Sequence, residues 1–142
     1  MEHCPVHDIS KPGARYYLMA QSAAHRPVVL IVEDEFLIRM RAADVIEDAG
    51  FEVVEAADAD EAILILESRE DIRVMFTDIR MPGSMDGLKL ARAVRDRWPP
   101  VHIVATSAHH TLIDELPAGT VFLPKPYSEC KIVGALDAQI AS

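Results

Sequence analysis

Apolar and polar positions settle into a regular alternation from Pro27 onward. Val28-Val29-Leu30-Ile31-Val32 is a short, unbroken, β-branched run closed by the acidic Glu33-Asp34, the pattern of a strand buried on both faces of a parallel sheet. Ile38, Ala42, Val45, Ile46 and Ala49 then recur at helical spacing and stop at Gly50, a natural helix end. Phe51 to Glu55 predicts a second strand, and Asp58 predicts the N-cap of a helix whose Ala59, Ala62, Ile63 and Leu66 share a face. Ile72 to Thr77 predicts a third strand, followed by a Pro/Gly loop and a helix presenting Leu90, Ala91, Val94 and Trp98. Val101 to Thr106 and Thr120 to Leu123 predict strands four and five, with a short fourth helical segment between His109 and Gly119, and Ile132, Val133, Leu136 and Ile140 mark a closing helix.

Strict alternation of five strands with helices of about three turns implies an α/β, doubly wound parallel sheet with right-handed crossovers and helices on both faces. Pro124, inside the fifth run, fits only an edge strand. Residues 1–26 mix Pro, Gly, His and Ser without sustained periodicity and read as a mobile extension, so the domain is expected over 27–142.

Composition narrows the function. Half of the residues are apolar, enough for one domain to bury a core without staples. Acidic residues outnumber basic ones 23 to 14 and no basic block occurs, which argues against a nucleic-acid partner. Cys4 and Cys130 stand at opposite ends with no leader-like segment, so neither a disulfide scaffold nor secretion is indicated and a cytoplasmic location is expected. No apolar run approaches the roughly 20 residues that cross a bilayer, so no membrane partner is expected.

Chemistry in such sheets collects beyond the carboxyl ends of the strands. There the chain places Glu33-Asp34, Asp78, Thr106-Ser107 and Lys125-Pro126. Any one of these could be an ordinary helix cap or first-turn anion. Together they gather carboxylates, a hydroxyl and an ammonium on one rim, and crowded carboxylates with oxygen-only ligands suit Mg²⁺, with Mn²⁺ as a substitute.

The acidic pair after strand one, Asp78 followed by Met81-Pro82 and Met85-Asp86-Gly87, Thr106 after strand four and Lys125-Pro126 after strand five resemble the receiver domains of bacterial response regulators, over roughly Pro27 to Ser142. The resemblance implies a flavodoxin-like sheet of order 2-1-3-4-5 and a single-domain phosphoacceptor of a two-component or phosphorelay system, rather than a turnover enzyme. Asp78 would take a phosphoryl group from a histidine kinase or histidine phosphotransfer protein. Asp34, Glu33, Asp78 and the Arg80 main-chain carbonyl would hold the metal, Thr106 and Lys125 would bind the phosphoryl group, and Thr106 with Phe122 would form a switch. Lys-Pro at this junction often carries a cis peptide. With no output domain following Lys125, the output is expected to be contact with a downstream protein, or self-association through the face formed by segment 109–119, strand five and the closing helix.

Weaker candidates do not join this set. His109-His110 reads as a solvated face, and His3, Cys4 and His7 lack a second half-site for metal. Phe122 fits core packing as well as a switch, and Gly87 reads as a source of backbone freedom at the start of a helix. The sequence departs from the commonest receiver pattern in Glu33 for Asp, in the extra residue of Gly83-Ser84 before Met85, in Arg80 and in the short segment before strand five. Two rivals remain: an aspartyl-phosphate phosphatase, which needs an acid where Arg80 stands, and a degenerate receiver that only binds, whose usual losses are absent.

Overall fold

The computed structural model describes residues 26–81, 85–108 and 110–141, the side chains of 110–112 excepted. Five strands, β1 (Val28–Val32), β2 (Glu52–Ala56), β3 (Ile72–Asp78), β4 (His102–Ser107) and β5 (Val121–Pro124), alternate with α1 (Phe36–Asp48), α2 (Ala59–Ser68), α3 (Gly87–Arg97) and α4 (Glu129–Ile140). All pairings are parallel, in the order β2-β1-β3-β4-β5. The doubly wound architecture is as expected, and Pro124 lies on an edge strand.

Burial follows the period-two geometry of strands. On one face Val28, Leu30 and Val32 of β1 pack with Met75 and Ile103 against Ala59, Ala62 and Leu66 of α2 and Leu90, Ala91 and Val94 of α3. On the other, Val29 and Ile31 join Val74, Phe76 and Val104 against Ala42, Ala43 and Ile46 of α1 and Ile132, Val133 and Leu136 of α4. Every residue of β1 is buried, and each buried Leu, Ile or Val contributes about 1.5–3 kcal/mol.

Helix ends obey local chemistry. Asp58 accepts from the Glu61 N–H at 2.8 Å, and Asp86 and Ser128 cap α3 and α4 in the same way. Gly50, just beyond α1, has φ 101°, a left-handed conformation open to glycine. The stripe predicted for α1 shifts slightly: Ala42, Ala43, Ile46 and Ala49 are buried while Ile38 and Val45 are half-buried. The segment before β5 is a correction, because it forms a 3-10 helix, His110–Glu115, rather than a short α-helix; Pro117, two residues beyond it, lacks the N–H that would extend the helix. Cys4, the other residues of 1–25, and the side chains of His109 and His110 lie outside the described residues, and with them the readings made there. Among the described residues, no helix is long and apolar enough to cross a membrane.

Candidate functional site

Strand register assembles the rim. Val32 pairs with Thr77, one residue before Asp78, and Asp78 pairs with Thr106. Ser107 pairs with Pro124, and the Lys125 N–H donates to the Ser107 carbonyl at 3.0 Å. The ends of β1, β3, β4 and β5 therefore stop at one level. Asp78 is the last residue of β3 rather than the first of the loop, so its position is fixed by the sheet ladder.

The Lys125 ammonium donates to Asp78 Oδ2 at 2.9 Å and lies 3.5 Å from Glu33 Oε1. The other Asp78 oxygen, Oδ1, accepts the Arg80 N–H at 3.1 Å. Glu33 and Asp78 are buried, Asp34 is exposed, and carboxylate oxygens of all three lie within 4.8 Å of one another. One ammonium thus contacts two carboxyl groups of a cluster of three. That imbalance shows in Glu33, whose carboxyl is raised from 4.5 to about 7 by burial first and then by the charge of Asp78, with Lys125 pulling the other way. For Lys125 burial lowers the ammonium's pKa, but the hydrogen bond and charge of Asp78, with Glu33 behind it, outweigh that and leave it raised.

Thr106 Oγ1 is buried and has no hydrogen-bond partner among the described residues. It borders a cavity of about 10 Å³ together with Glu33, Asp78 and Tyr127. A buried hydroxyl without a partner costs roughly 1–3 kcal/mol, so the site carries a donor lacking an acceptor. The cluster has the oxygen-only donors and the charge deficit that a hard divalent cation satisfies. Arg80 reaches the cluster through its main chain, its side chain being exposed. Phe122 stands apart from the cluster and packs with Ile79, Leu88, Ala105 and Leu116. The Lys125–Pro126 peptide is cis.

Gly87, read from the sequence as a flexible turn residue, and two residues that the sequence did not single out, Tyr127 and Arg39, shape this region. A Cβ built on Gly87 would lie 1.8 Å from the Asp78 carbonyl oxygen and 2.6 Å from Ile79 Cα, and the Gly87 N–H donates to the Ile79 carbonyl at 2.7 Å. The expectation of backbone freedom is therefore corrected: Gly87 is outside the left-handed region, and what requires it is the close approach of α3 to the main chain at the end of β3. Tyr127, two residues after Lys125, meets Phe76 edge-on at 5.8 Å between centroids, and burial raises its hydroxyl's pKa. Arg39, on α1, donates to the Glu33 carbonyl at 2.7 Å. Beside the rim, α1 and the start of α4 enclose a groove of about 350 Å³, lined by Ile38, Arg41, Ala42, Lys125, Tyr127 and Ile132. Phe36, Leu37 and Met40 are exposed on the same helix.

Sheet order and the polar rim together define the flavodoxin-like class of doubly wound proteins. Within that class, residues 29–137 match the response regulator receiver domain, and the chain belongs to that family of two-component signalling domains. It is 36% identical over 105 residues to the sensor kinase CckA of Brucella abortus, covering 70% of this chain and 11% of that protein. To the transcriptional regulatory protein PdtaR of Mycobacterium tuberculosis it is 32% identical over 118 residues, 80% of this chain and 56% of the other. The chain thus spans between about a tenth and just over half of these curated relatives. The crystal structure of the receiver domain of the hybrid histidine kinase CckA matches with a TM-score of 0.68 at 32% identity, covering 80% of this chain and 98% of that one.

Crowding around Glu33 gives a pH signature. A carboxyl raised in the folded state binds its proton more tightly folded than unfolded, so its contribution is greatest below its ordinary value and is lost as pH rises through about 7. Metal-free stability is expected to fall between about pH 5 and pH 8 by an amount on the order of 1–3 kcal/mol. Glu33→Gln should flatten that slope and leave the metal-free protein more stable than wild type at the upper end. Urea unfolding across pH in a chelator measures both, and an unchanged slope in the variant would place the titrating group elsewhere.

Proposed function

We propose that the chain is a Mg²⁺-dependent phosphoacceptor: Asp78 takes a phosphoryl group from a phosphohistidine on a histidine kinase or histidine phosphotransfer protein, and the phosphorylated form signals by protein contact. The observation that carries this reading is the Lys125 ammonium set 2.9 Å from Asp78 at the centre of the carboxylate cluster. An Asp78 carboxylate oxygen attacks phosphorus, a P–O bond forms as the P–N bond breaks, and the departing imidazole nitrogen takes a proton. Such a transfer needs alignment and charge neutralisation more than covalent assistance. Lys125 supplies a cation to the phosphoryl oxygens, the Arg80 N–H orients the carboxylate, and the unpartnered Thr106 hydroxyl offers a donor. Glu33, Asp34, Asp78 and the Arg80 carbonyl are the groups that would hold Mg²⁺ or Mn²⁺, which supplies further neutralisation of phosphoryl charge when bound. The exposed Phe36, Leu37 and Met40 and the neighbouring groove offer the donor protein an apolar docking surface beside the site.

Incubation with a small phosphodonor such as acetyl phosphate, followed by intact-mass measurement, tests this directly. The account expects one phosphoryl adduct with Mg²⁺ and little without it. Rapid donor hydrolysis with no adduct would favour a phosphatase, and no reaction at all would favour a module that only binds.

Output follows from what the phosphoryl group can contact. Thr106 reaches a phosphoryl oxygen only by an inward shift of the β4 loop, which loosens the packing of Phe122 against Ile79, Leu88 and Ala105. Phosphorylation is therefore expected to strengthen self-association or partner binding through the face of the 3-10 helix, β5 and α4, by a coupling of about 1–3 kcal/mol. Thr106→Ala should still accept phosphate but lose most of that coupling. Dimerisation or partner affinity measured for both proteins, with and without phosphate, decides; equal coupling would exclude Thr106 as the transmitter.

A further inference from the structure

The turn bearing the acidic pair lacks the device that fixes the other helix starts. Asp58, Asp86 and Ser128 each accept a main-chain N–H into their helices, whereas Glu35, the N-cap of α1, makes no side-chain cap hydrogen bond. One turn into α1, Arg39 reaches back instead. Its Nη1 donates to the Glu33 carbonyl at 2.7 Å, its Nε donates to Glu55 Oε1 at 3.2 Å, and the guanidinium lies 5.5 Å from the centroid of the Phe36 ring. The side chain is only 14% exposed although its ionic partner is 43% exposed. An ion pair that open to water contributes little, about 0–1 kcal/mol, so the Glu55 contact alone does not account for the placement.

The peptide that Arg39 grips joins Glu33 to Asp34. Its carbonyl accepts from the guanidinium, and its N–H donates to Glu33 Oε2 at 3.0 Å. Both carboxylate stems spring from that unit, so its orientation fixes where their oxygens point. We propose that Arg39 is a positioning residue that stands in for the missing helix cap and orients the Glu33-Asp34 pair toward a divalent cation. This rests on the metal-dependent reading of the site given above, and it deepens that reading by naming a residue outside the ligand set.

Two effects of removing Arg39 have opposite signs, which makes the inference testable. As a charge, the guanidinium repels a cation, so its loss would tighten Mg²⁺ binding. As an orienting group, its loss weakens binding, as for outer partners of metal ligands, whose removal typically costs tenfold or more in affinity. Arg39→Gln is expected to raise the Mg²⁺ dissociation constant about tenfold. Arg39→Lys keeps the charge but lacks the planar fork that spans two acceptors, and should also weaken binding. Glu55→Gln leaves the guanidinium on the carbonyl and should stay within about twofold of wild type.

The experiment is calorimetric titration of the full chain with MgCl₂, paired with phosphorylation by acetyl phosphate across a Mg²⁺ series and with urea unfolding of each variant. The inference expects weaker Mg²⁺ binding, a rate at saturating Mg²⁺ close to wild type, and little change in stability. Unchanged or tighter Mg²⁺ binding in both Arg39 variants overturns it, as does a rate loss that saturating Mg²⁺ cannot recover. Wild type is the control that separates this from the parent reading: if wild type neither binds Mg²⁺ nor takes a phosphoryl group, the metal-dependent phosphoacceptor itself fails, and the inference falls with it.

Discussion

Asp78→Asn is expected to abolish the phosphoryl adduct while leaving the fold intact, with incorporation falling on the order of a thousandfold or more, as for loss of a nucleophile. The amide keeps the shape of the carboxylate at the end of β3, so the ladder to Thr106 and the bond from the Arg80 N–H remain available. What disappears is the proposed nucleophile and one of the two carboxylates near the Lys125 ammonium, which can turn to Glu33 at 3.5 Å. Removing the Asp78 charge also removes a cause of the raised Glu33 carboxyl. Metal-free stability should accordingly hold or rise at neutral pH even as function is lost. Intact mass after phosphodonor treatment and urea unfolding of the same sample report the two halves of this result. Labelling of the variant at the wild-type rate would move the phosphoacceptor elsewhere.

The second large effect needs no change in any charged group. Gly87→Ala adds one methyl where the nearest atoms are main chain, the Asp78 carbonyl oxygen at 1.8 Å and carbon at 2.7 Å. No rotamer relieves a clash with backbone, so α3 must lift away from the end of β3 and break the 2.7 Å bond from Gly87 to the Ile79 carbonyl. Overpacking of this kind costs about 3 kcal/mol or more, which lowers the unfolding midpoint by roughly 10 °C. The displacement also reaches Asp78, and a shift of about 1 Å at a reacting group is enough to slow chemistry by roughly a hundredfold. Calorimetry and the phosphorylation rate measured on the folded fraction should both show the loss. A variant as stable and as reactive as wild type would mean that α3 does not need to approach so closely.

Much of the frame is legible in the chain because few alternatives fit it. Val28 to Val32 has no polar position, and such a run can only be buried on both sides, as β1 is. Asp58 at the head of an apolar helical stripe announces a cap, and its carboxylate accepts the Glu61 N–H. The rim residues could be named because each follows an apolar strand, and strands of similar length in one parallel sheet end at one level. Their roles come from the resemblance to receiver domains and not from the pattern itself.

What could not be read depends on distances between segments remote in sequence or on side-chain reach. Gly87 looks like a turn glycine, since sequence carries no record that α3 starts against the carbonyl of Asp78, nine residues earlier in the chain. The start of α1 is ambiguous for another reason: Phe36, Leu37, Ile38 and Met40 are apolar all round the helix, so periodicity does not say which side is inward. The structure leaves Phe36, Leu37 and Met40 outside, with Phe36 beside the guanidinium of Arg39. Arg39 itself reads as an ordinary solvent-facing residue until its reach back to Glu33 is seen. The segment before β5 gave helical signals too short to tell a 3-10 turn from an α-helix.

The claim that Asp78 is the phosphoacceptor is tested most directly by locating the phosphoryl group. Wild-type protein is treated with acetyl phosphate and Mg²⁺, the acyl phosphate is trapped by borohydride reduction, which converts an aspartyl phosphate to homoserine, and the digest is sequenced by mass spectrometry. The account predicts homoserine at position 78, dependent on Mg²⁺ and lost on chelation. Homoserine at another aspartate, the corresponding alcohol at a glutamate, or homoserine at position 78 to the same extent without a divalent cation, would contradict it.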